Sequence, residues 1–302
     1  MSQDTRNEEG RIIGGQFLVQ GDEELVFGLR TVECIDQNSE MSVRLTFVSR
    51  SALEQLGVAI RIQKDVKRAG ALLHKNITRV LGFGKDGDQL FIVEEQTSGF
   101  RLSHLLNRRS ETERPFELKQ AFYLTIHLCN ALSNATDKLA HGLLAPSNVF
   151  IRKDGRPKVS GFGTGALLPI VVEGEGVTDW DRACLAPHLD SPGKRDLFAL
   201  GRLFYALLKN SVDTRTSFAE QVESDDELSP SLMRLLLRCA GEGDVKPLSG
   251  PSEFREELHH VVSELFENET TKRRREPSVG PPPMPSELDL DLAAKPPGVD
   301  LR

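Results

Sequence analysis

Apolar positions in the first third of the chain fall in short β-branched and aromatic stretches. FLVQ (17–20), LVFGLRTVECI (25–35), SVRLTFV (42–48), ITRVLGFG (77–84) and QLFIVEE (89–95) are broken by Gly, Asp and Asn, the pattern of strands. KDGD (85–88) joins the last two and predicts a hairpin turn. One segment interrupts the strands. In SALEQLGVAIRIQKDVKRAGALL (51–73), Val66, Ala69, Leu72 and Leu73 recur three and four apart, which predicts a helix.

From Leu102 onward the period becomes helical. ELKQAFYLTIHLCNALSNATDKL (117–139) carries Phe122, Ile126, Cys129 and Leu132 on one face. NVFI (148–151) and PKVSG (157–161) are short strands around an Asp-Gly turn. KRDLFALGRLFYALL (194–208) is apolar nearly all round, which predicts a buried central helix. SPSLMRLLLRCA (229–240), with Ser229 or Ser231 as cap, and PSEFREELHHVVSELF (251–266) are the last helices. Strands first and helices afterwards disfavour a doubly wound parallel sheet. The fold class expected is α+β, with a β-rich lobe over about 15–96, holding one main helix, and a larger helical lobe over about 97–268. Residues 1–14 are polar, and 269–302 are rich in Pro and charge; both are expected to be disordered tails.

Composition narrows the function classes. The formal net charge of −7 gives nucleic-acid binding no support. The four cysteines, Cys34, Cys129, Cys184 and Cys239, form no CxxC pair, so neither a zinc site nor a disulfide framework is expected. The N-terminus lacks a signal-peptide pattern and no apolar run is long enough to span a bilayer. A cytoplasmic protein without membrane spans is the expectation. KRRR (272–275) reads as a solvated charge cluster and PPPMP (281–285) as a candidate partner ligand.

Two segments carry the chemical question: HGLLAPSNVFI (141–151) and KVSGFG (158–163). With HKNITRVLGFG (74–84), LFIVEEQTSGFRLSHLL (90–106), CLAPH (184–188), RDLFALGRLFYALLKN (195–210) and the closing LLLRCAGEGDVKPLSGPSEFREEL (235–258), they stand in the order of one family. From about residue 16 to 266 the chain resembles the eukaryotic-like (Hanks-type) Ser/Thr protein kinases of bacteria. HGLLAPSNVFI is similar to the family's HRDLKPSNVLL, and KVSGFG to its KLxDFG.

The resemblance implies a bilobal kinase-like fold, and it places each working residue of phosphoryl transfer. The catalytic-loop Asp falls on Leu143, the Lys two residues on falls on Ala145, and the magnesium-binding DFG Asp falls on Gly161. Asn148 keeps the amide ligand. The strand lysine falls on Arg44, with Asp65 as its helix partner, and this pair is expected to brace the lobe. Gly21 stands in the glycine loop, crowded by Glu23 and Glu24. His141, Phe162, Ala69 and Val80 fall in the internal spine, and Asp196 caps the central helix and holds the loop backbone. The Glu that closes the activation segment and its Arg partner fall on His188 and Lys246. LLPIVV (167–172) is expected to face the interior, and Asp137 and Asp154 to face solvent.

The resemblance thus implies a degenerate member, a pseudokinase, with no magnesium and weak or absent ATP binding. It would be a scaffold or allosteric regulator in Ser/Thr kinase signalling, its partner an active kinase or that kinase's substrate. Two alternatives stay open. One is an atypical ATP-using transferase, with Arg44, Asp65 and Asn148 as remnants. The other is a metal-independent nucleotide sensor that holds adenine on the backbone of Glu95 and Gln96.

Overall fold

A computed structural model describes residues 10–55, 57–174, 176–241 and 246–275. The first lobe is one antiparallel sheet built from β1 (Ile12–Ile13), β2 (Phe17–Val26), β3 (Leu29–Asp36), β4 (Ser42–Phe47), β5 (Val80–Asp86) and β6 (Gln89–Glu95). The strand order is β1-β2-β3-β4-β6-β5. The sheet curls until its two edges meet. Arg11 Nη2 donates to Asp86 Oδ2 at 2.9 Å, and Gly14 N donates to Asp86 Oδ1 at 3.2 Å. A small core of Phe17, Phe47, Phe91 and their aliphatic neighbours fills the curl. Residues 10–14 therefore belong to the folded lobe, with Ile13 fully buried, and not to the expected tail.

LVFGLR does not run as one strand. Phe27 (φ 55°) and Gly28 (φ 68°) both take the left-handed region, which gives the two-residue hairpin between β2 and β3. Gly21 lies instead where the β2–β3 register shifts, so the hairpin tip over the cleft is Phe27–Gly28. The predicted helix over 51–73 is also divided. α1 (Arg50–Glu54) and α2 (Val58–Ala69) are separated at Gly57, whose φ of 79° suits a residue without Cβ.

The second lobe begins with β7 (Phe100–Arg101), α3 (Leu102–Glu111) and α4 (Leu118–Ala135). β8 (Val149–Ile151) and β9 (Pro157–Val159) complete a three-stranded sheet with β7. Two short helices, α5 (Leu168–Glu173) and α6 (Asp179–Cys184), precede α7 (Pro192–Lys209). α8 (Phe218–Glu223), α9 (Pro230–Ala240) and α10 (Pro251–Arg275) close the lobe. Residues 196–207 of α7 are all buried, as its all-round apolar pattern predicts. A Cβ built on Gly201 would lie 2.5 Å from Cys239 Cβ, so only glycine lets α7 and α9 pack this closely. Ser229 caps α9 by accepting from Leu232 N. The cap of α7 is Ser191 by position, and Asp196 sits inside the helix, a correction to the expected capping role. α10 runs through Arg275, past the boundary expected at 268; residues 1–9 and 276–302, including PPPMP, lie outside the described residues.

All four cysteines are buried free thiols. Among the described residues, no helix is long and apolar enough to cross a membrane.

Candidate functional site

The cleft between the lobes has loop 141–148 as its floor. Hydrogen bonds from backbone to side chain fix this loop. Asp196 accepts from His141 N at 2.8 Å and from Gly142 N at 2.7 Å, so it does hold the loop backbone as expected. Burial pushes its carboxyl up to about 7, and the two amides work against that shift. The His141 ring contacts Ser160 O through Nε2 at 2.9 Å, while Nδ1 accepts from Leu143 N at 3.2 Å. Those partners set the neutral tautomer with hydrogen on Nε2. Burial pulls its pKa down to about 4. His141 meets Phe162 edge-on at 4.7 Å, and both are completely buried with Ala69 and Val80 nearby in the core.

The residues at the chemical positions take structural places. Leu143 and Ala145 are buried. Asn148 donates through Nδ2 to Leu143 O at 2.6 Å and accepts at Oδ1 from Ala145 N at 3.0 Å, so both ends of the amide tie the loop to itself. Gly161 takes φ 85°, and a Cβ there would meet Thr164, Asn148 and His141 at ordinary contact distances. Its N–H donates to Glu94 Oε1 at 2.7 Å. Asp137 and Asp154 are exposed, as expected. His188 is exposed and touches only the edge of Phe198 in ring contact, at 6.0 Å. Arg238 donates to the Lys246 carbonyl at 2.8 Å and pairs with Glu253 and Glu257 of α10.

The expected Arg44–Asp65 pair does not form. Arg44 stands directly across the β4–β6 ladder from Glu94, and their side chains pair at 3.4 Å with both about 4% exposed. Asp65 instead faces Arg68 on its own helix at 3.8 Å, and burial raises its pKa despite that neighbour. The reason is reach: the cross-strand partner is adjacent, while α2 presents its acid elsewhere. Burial pulls the Arg44 pKa down, and Glu94 opposes the shift.

A second pair closes the cleft beside the first. Arg101 grips Glu24 with two bonds, Nε to Oε1 at 3.0 Å and Nη2 to Oε2 at 2.7 Å, and donates to Ser147 O at 2.6 Å. The guanidiniums of Arg44 and Arg101 each lie 4.6 Å from the centre of the Phe150 ring. The space left among Phe27, Arg44, Glu94, Arg101, Leu143 and Asn148 is a cavity of about 30 Å³. Ligand pockets for drug-sized molecules run to roughly 300–1,000 Å³. The hinge amides are engaged as well: Glu95 N donates to Arg79 O at 2.9 Å and Gln96 N to Ser42 O at 3.1 Å. Burial pushes the Glu95 carboxylate up, but the pair with Lys158, the Arg79 amide and the charges of Lys158 and Arg79 together hold its pKa below the ordinary value. This arrangement does not fit a nucleoside triphosphate with magnesium. The amide of Gly161 already holds the Glu94 carboxylate. Among the described residues, no group of three or more His, Cys, Asp or Glu side chains is placed to hold a metal ion.

The segment after Gly163 folds down onto this site. Leu167, Leu168 and Val171 are buried, but Pro169 is exposed and Ile170 and Val172 are half-buried, so LLPIVV turns only one side to the interior. Thr178 caps α6 and donates to Asp181 Oδ2 at 2.7 Å. Asp181, 1% exposed, also accepts from Ser147 N at 2.9 Å and Ser147 Oγ at 2.6 Å. These partners make Asp181 a brace between α6 and the loop.

Glu24, Glu94, Arg101, Phe150 and Asp181 are the residues that sequence reasoning missed as a group. One signal was present. Successive strand residues face opposite ways, so of the adjacent acids Glu94 and Glu95 one had to point inward.

Residues 30–169 match the family described as "Protein tyrosine and serine/threonine kinase". A PTI1-like tyrosine-protein kinase of Arabidopsis thaliana is 25% identical over 154 residues, 48% of this chain and 43% of that protein. A protein of Lactococcus lactis described as "Probable serine/threonine-protein kinase PknB" is 25% identical over 201 residues, 62% of this chain and 31% of its own length. The matches thus span less than half the length of these curated relatives. The kinase domain of Mycobacterium tuberculosis PknI superposes with a TM-score of 0.65 at 16% identity, covering 84% of this chain and 98% of that domain. The chain has the protein-kinase fold, a curled sheet and a helical lobe, and its residues 30–169 match the model of the kinase family.

Proposed function

We propose that this chain is a catalytically inactive kinase-like protein, acting as a scaffold or allosteric regulator in Ser/Thr kinase signalling. One observation carries this reading: the cleft is filled by the chain's own charges. Glu94 bridges Arg44 and the Gly161 amide, and Arg101 bridges Glu24 and Ser147 over the Phe150 ring. The absence of a carboxylate at Leu143 and Gly161 supports it, since a kinase needs one acid at the acceptor hydroxyl and one on magnesium. What remains is a stable two-lobed surface for protein contacts, with an active Ser/Thr kinase or its substrate as partner.

The test is thermal. A ligand at 100 times its Kd stabilises a protein by about 2.7 kcal/mol. The melting temperature of the full chain should not move with millimolar ATP, with or without magnesium. Incubation with labelled ATP and a generic protein substrate should transfer no phosphate. A clear ATP-dependent rise in melting temperature, or transfer lost on Asn148→Ala, would overturn the reading.

A further inference from the structure

The segment between α2 and β5 is tied to β9. Val159 N donates to Asn76 O at 2.8 Å, Thr78 N to Val159 O at 2.7 Å, and Asn76 Nδ2 to Pro157 O at 2.7 Å. This brings exposed Lys75 beside exposed Arg156. Arg152 and Lys153 join them from the turn between β8 and β9. His127 of α4, edge-on to Tyr123 at 4.4 Å, borders the same face; burial pulls its pKa down, and the charges of Lys75 and Arg156 pull it further.

The acids of this face are engaged and its cations are not. Glu95 is held by Lys158 and the Arg79 amide, and Asp154 lies 3.6 Å from Arg152. Lys75, Lys153 and Arg156 are exposed and make no ion pair or side-chain hydrogen bond among the described residues. Leu73, next to His74, is 72% exposed. In a chain of net charge −7, such a face calls for an acidic occupant with apolar side chains.

That chemistry stands in the chain's own continuation. SELDLDL (286–292) alternates Glu287, Asp289 and Asp291 with Leu288, Leu290 and Leu292. In an extended chain the acids share one side and the leucines the other. Lysine and arginine arms can reach an acid row while leucines rest on Leu73 and the arms' alkyl stems. Reach permits the contact. α10 runs antiparallel to α4: Arg255 donates to Asn130 at 2.8 Å, His259 meets Phe122 at 4.9 Å, and Lys119 lies 5.5 Å from the Phe266 ring. The way back from Arg275 to His127, over 266–275 of α10 and 119–127 of α4, is about 26 Å at about 1.5 Å per residue. The ten residues 276–285 can span about 33 Å.

We propose that this basic face docks the chain's own segment Ser286–Leu292, in the same molecule. Exposed charge pairs are individually weak. A short tether gives a local concentration on the order of millimolar, so weak pairs suffice. The inference stands whether or not the cleft is inert.

The experiment measures binding of a fluorescent peptide of sequence 284–295 to two full-length chains, the parent and one carrying Glu287→Gln, Asp289→Asn and Asp291→Asn. In the parent the segment competes for the face, so the neutralised chain should bind the peptide about tenfold more tightly. Adding Lys75→Glu and Arg156→Glu to the neutralised chain should abolish binding, with melting temperature unchanged because both residues are exposed. Lys64→Glu with Lys67→Glu on α2 reverses as many charges elsewhere and should leave binding intact. Binding should also weaken from about 0.1 M to about 1 M salt, as the Debye length falls from about 10 to about 3 Å. Equal affinity of the two chains would mean the segment does not occupy the face, and overturns the proposal. So does absence of binding to both, or an equal loss in the α2 control. Concentration-dependent dimerisation of the parent that disappears in the neutralised chain would place the segment on a second copy, and also overturns it.

Discussion

The loop frame and the cleft it borders are built on opposite principles. The frame around His141, Asn148, Phe162 and Asp196 meets each backbone N–H with one acceptor and keeps its histidine neutral. Most of its members are close in sequence. The cleft is held by charged side chains from β2, β4, β6 and β7, gathered over one ring on β8. The difference teaches which constraints are separable. Backbone geometry that supports the fold is kept, while the space above it is filled by pairs that satisfy themselves.

The largest expected effect tests whether the cleft is a structural element. Glu94→Ala leaves Arg44 buried and unpaired and orphans the Gly161 amide, and should cost about 3–5 kcal/mol in urea unfolding. Replacing Arg44 and Glu94 together by methionine should cost far less, because no charge is left stranded. A single-site loss below about 1 kcal/mol would break the contrast.

Next comes the frame. Asp196→Asn keeps one acceptor oxygen for two amides and should cost about 1–3 kcal/mol. Its pH profile sharpens the comparison. Folded His141, depressed from 6.5 to about 4, binds fewer protons than the unfolded chain, so its contribution is lost as pH falls through that window. Folded Asp196, raised from 3.8 to about 7, binds more protons, so its contribution is lost as pH rises. The two oppose each other between pH 4 and 6.5. Asp196→Asn removes one of them. Melting temperature should then climb from pH 4.5 to 6.5 more steeply than in the parent protein.

Smaller effects follow at the rim. Glu24→Gln removes the charge opposite Arg101, but Glu24 is 45% exposed, and Ser147 O and the Phe150 ring remain; about 1 kcal/mol is expected by urea unfolding. Lys158→Ala breaks a partly exposed pair with Glu95 and should shift stability by less than about 1 kcal/mol.

Elements with strong periodicity were legible from sequence. α4, α7 and α9 stand close to where apolar spacing put them, and Ser229 caps α9 as its residue type predicts. Departures came at turns and ends. Phe27 hid a hairpin because its apolar side chain reads as strand, and Ile12–Ile13 was too short to show a period. At the site, Asn148, Gly161 and Leu143 could be placed by local order. Arg44 could not be paired correctly, since its partner depends on strand register.

The amino-acid sequence by itself determined the two-lobed order of strands and helices, and that Leu143 and Gly161, neither of them acidic, stand in segments 141–151 and 158–163. These are properties of local pattern and residue type. Only the tertiary structure decided that Glu94, fifty positions from Arg44, would capture it, that Arg101 and Glu24 would close over Phe150, and that Lys75 and Arg156 would meet on one face beside β9. Those contacts join residues distant in the chain. Their energies depend on which charges share a desolvated space, and no local window of sequence contains that information.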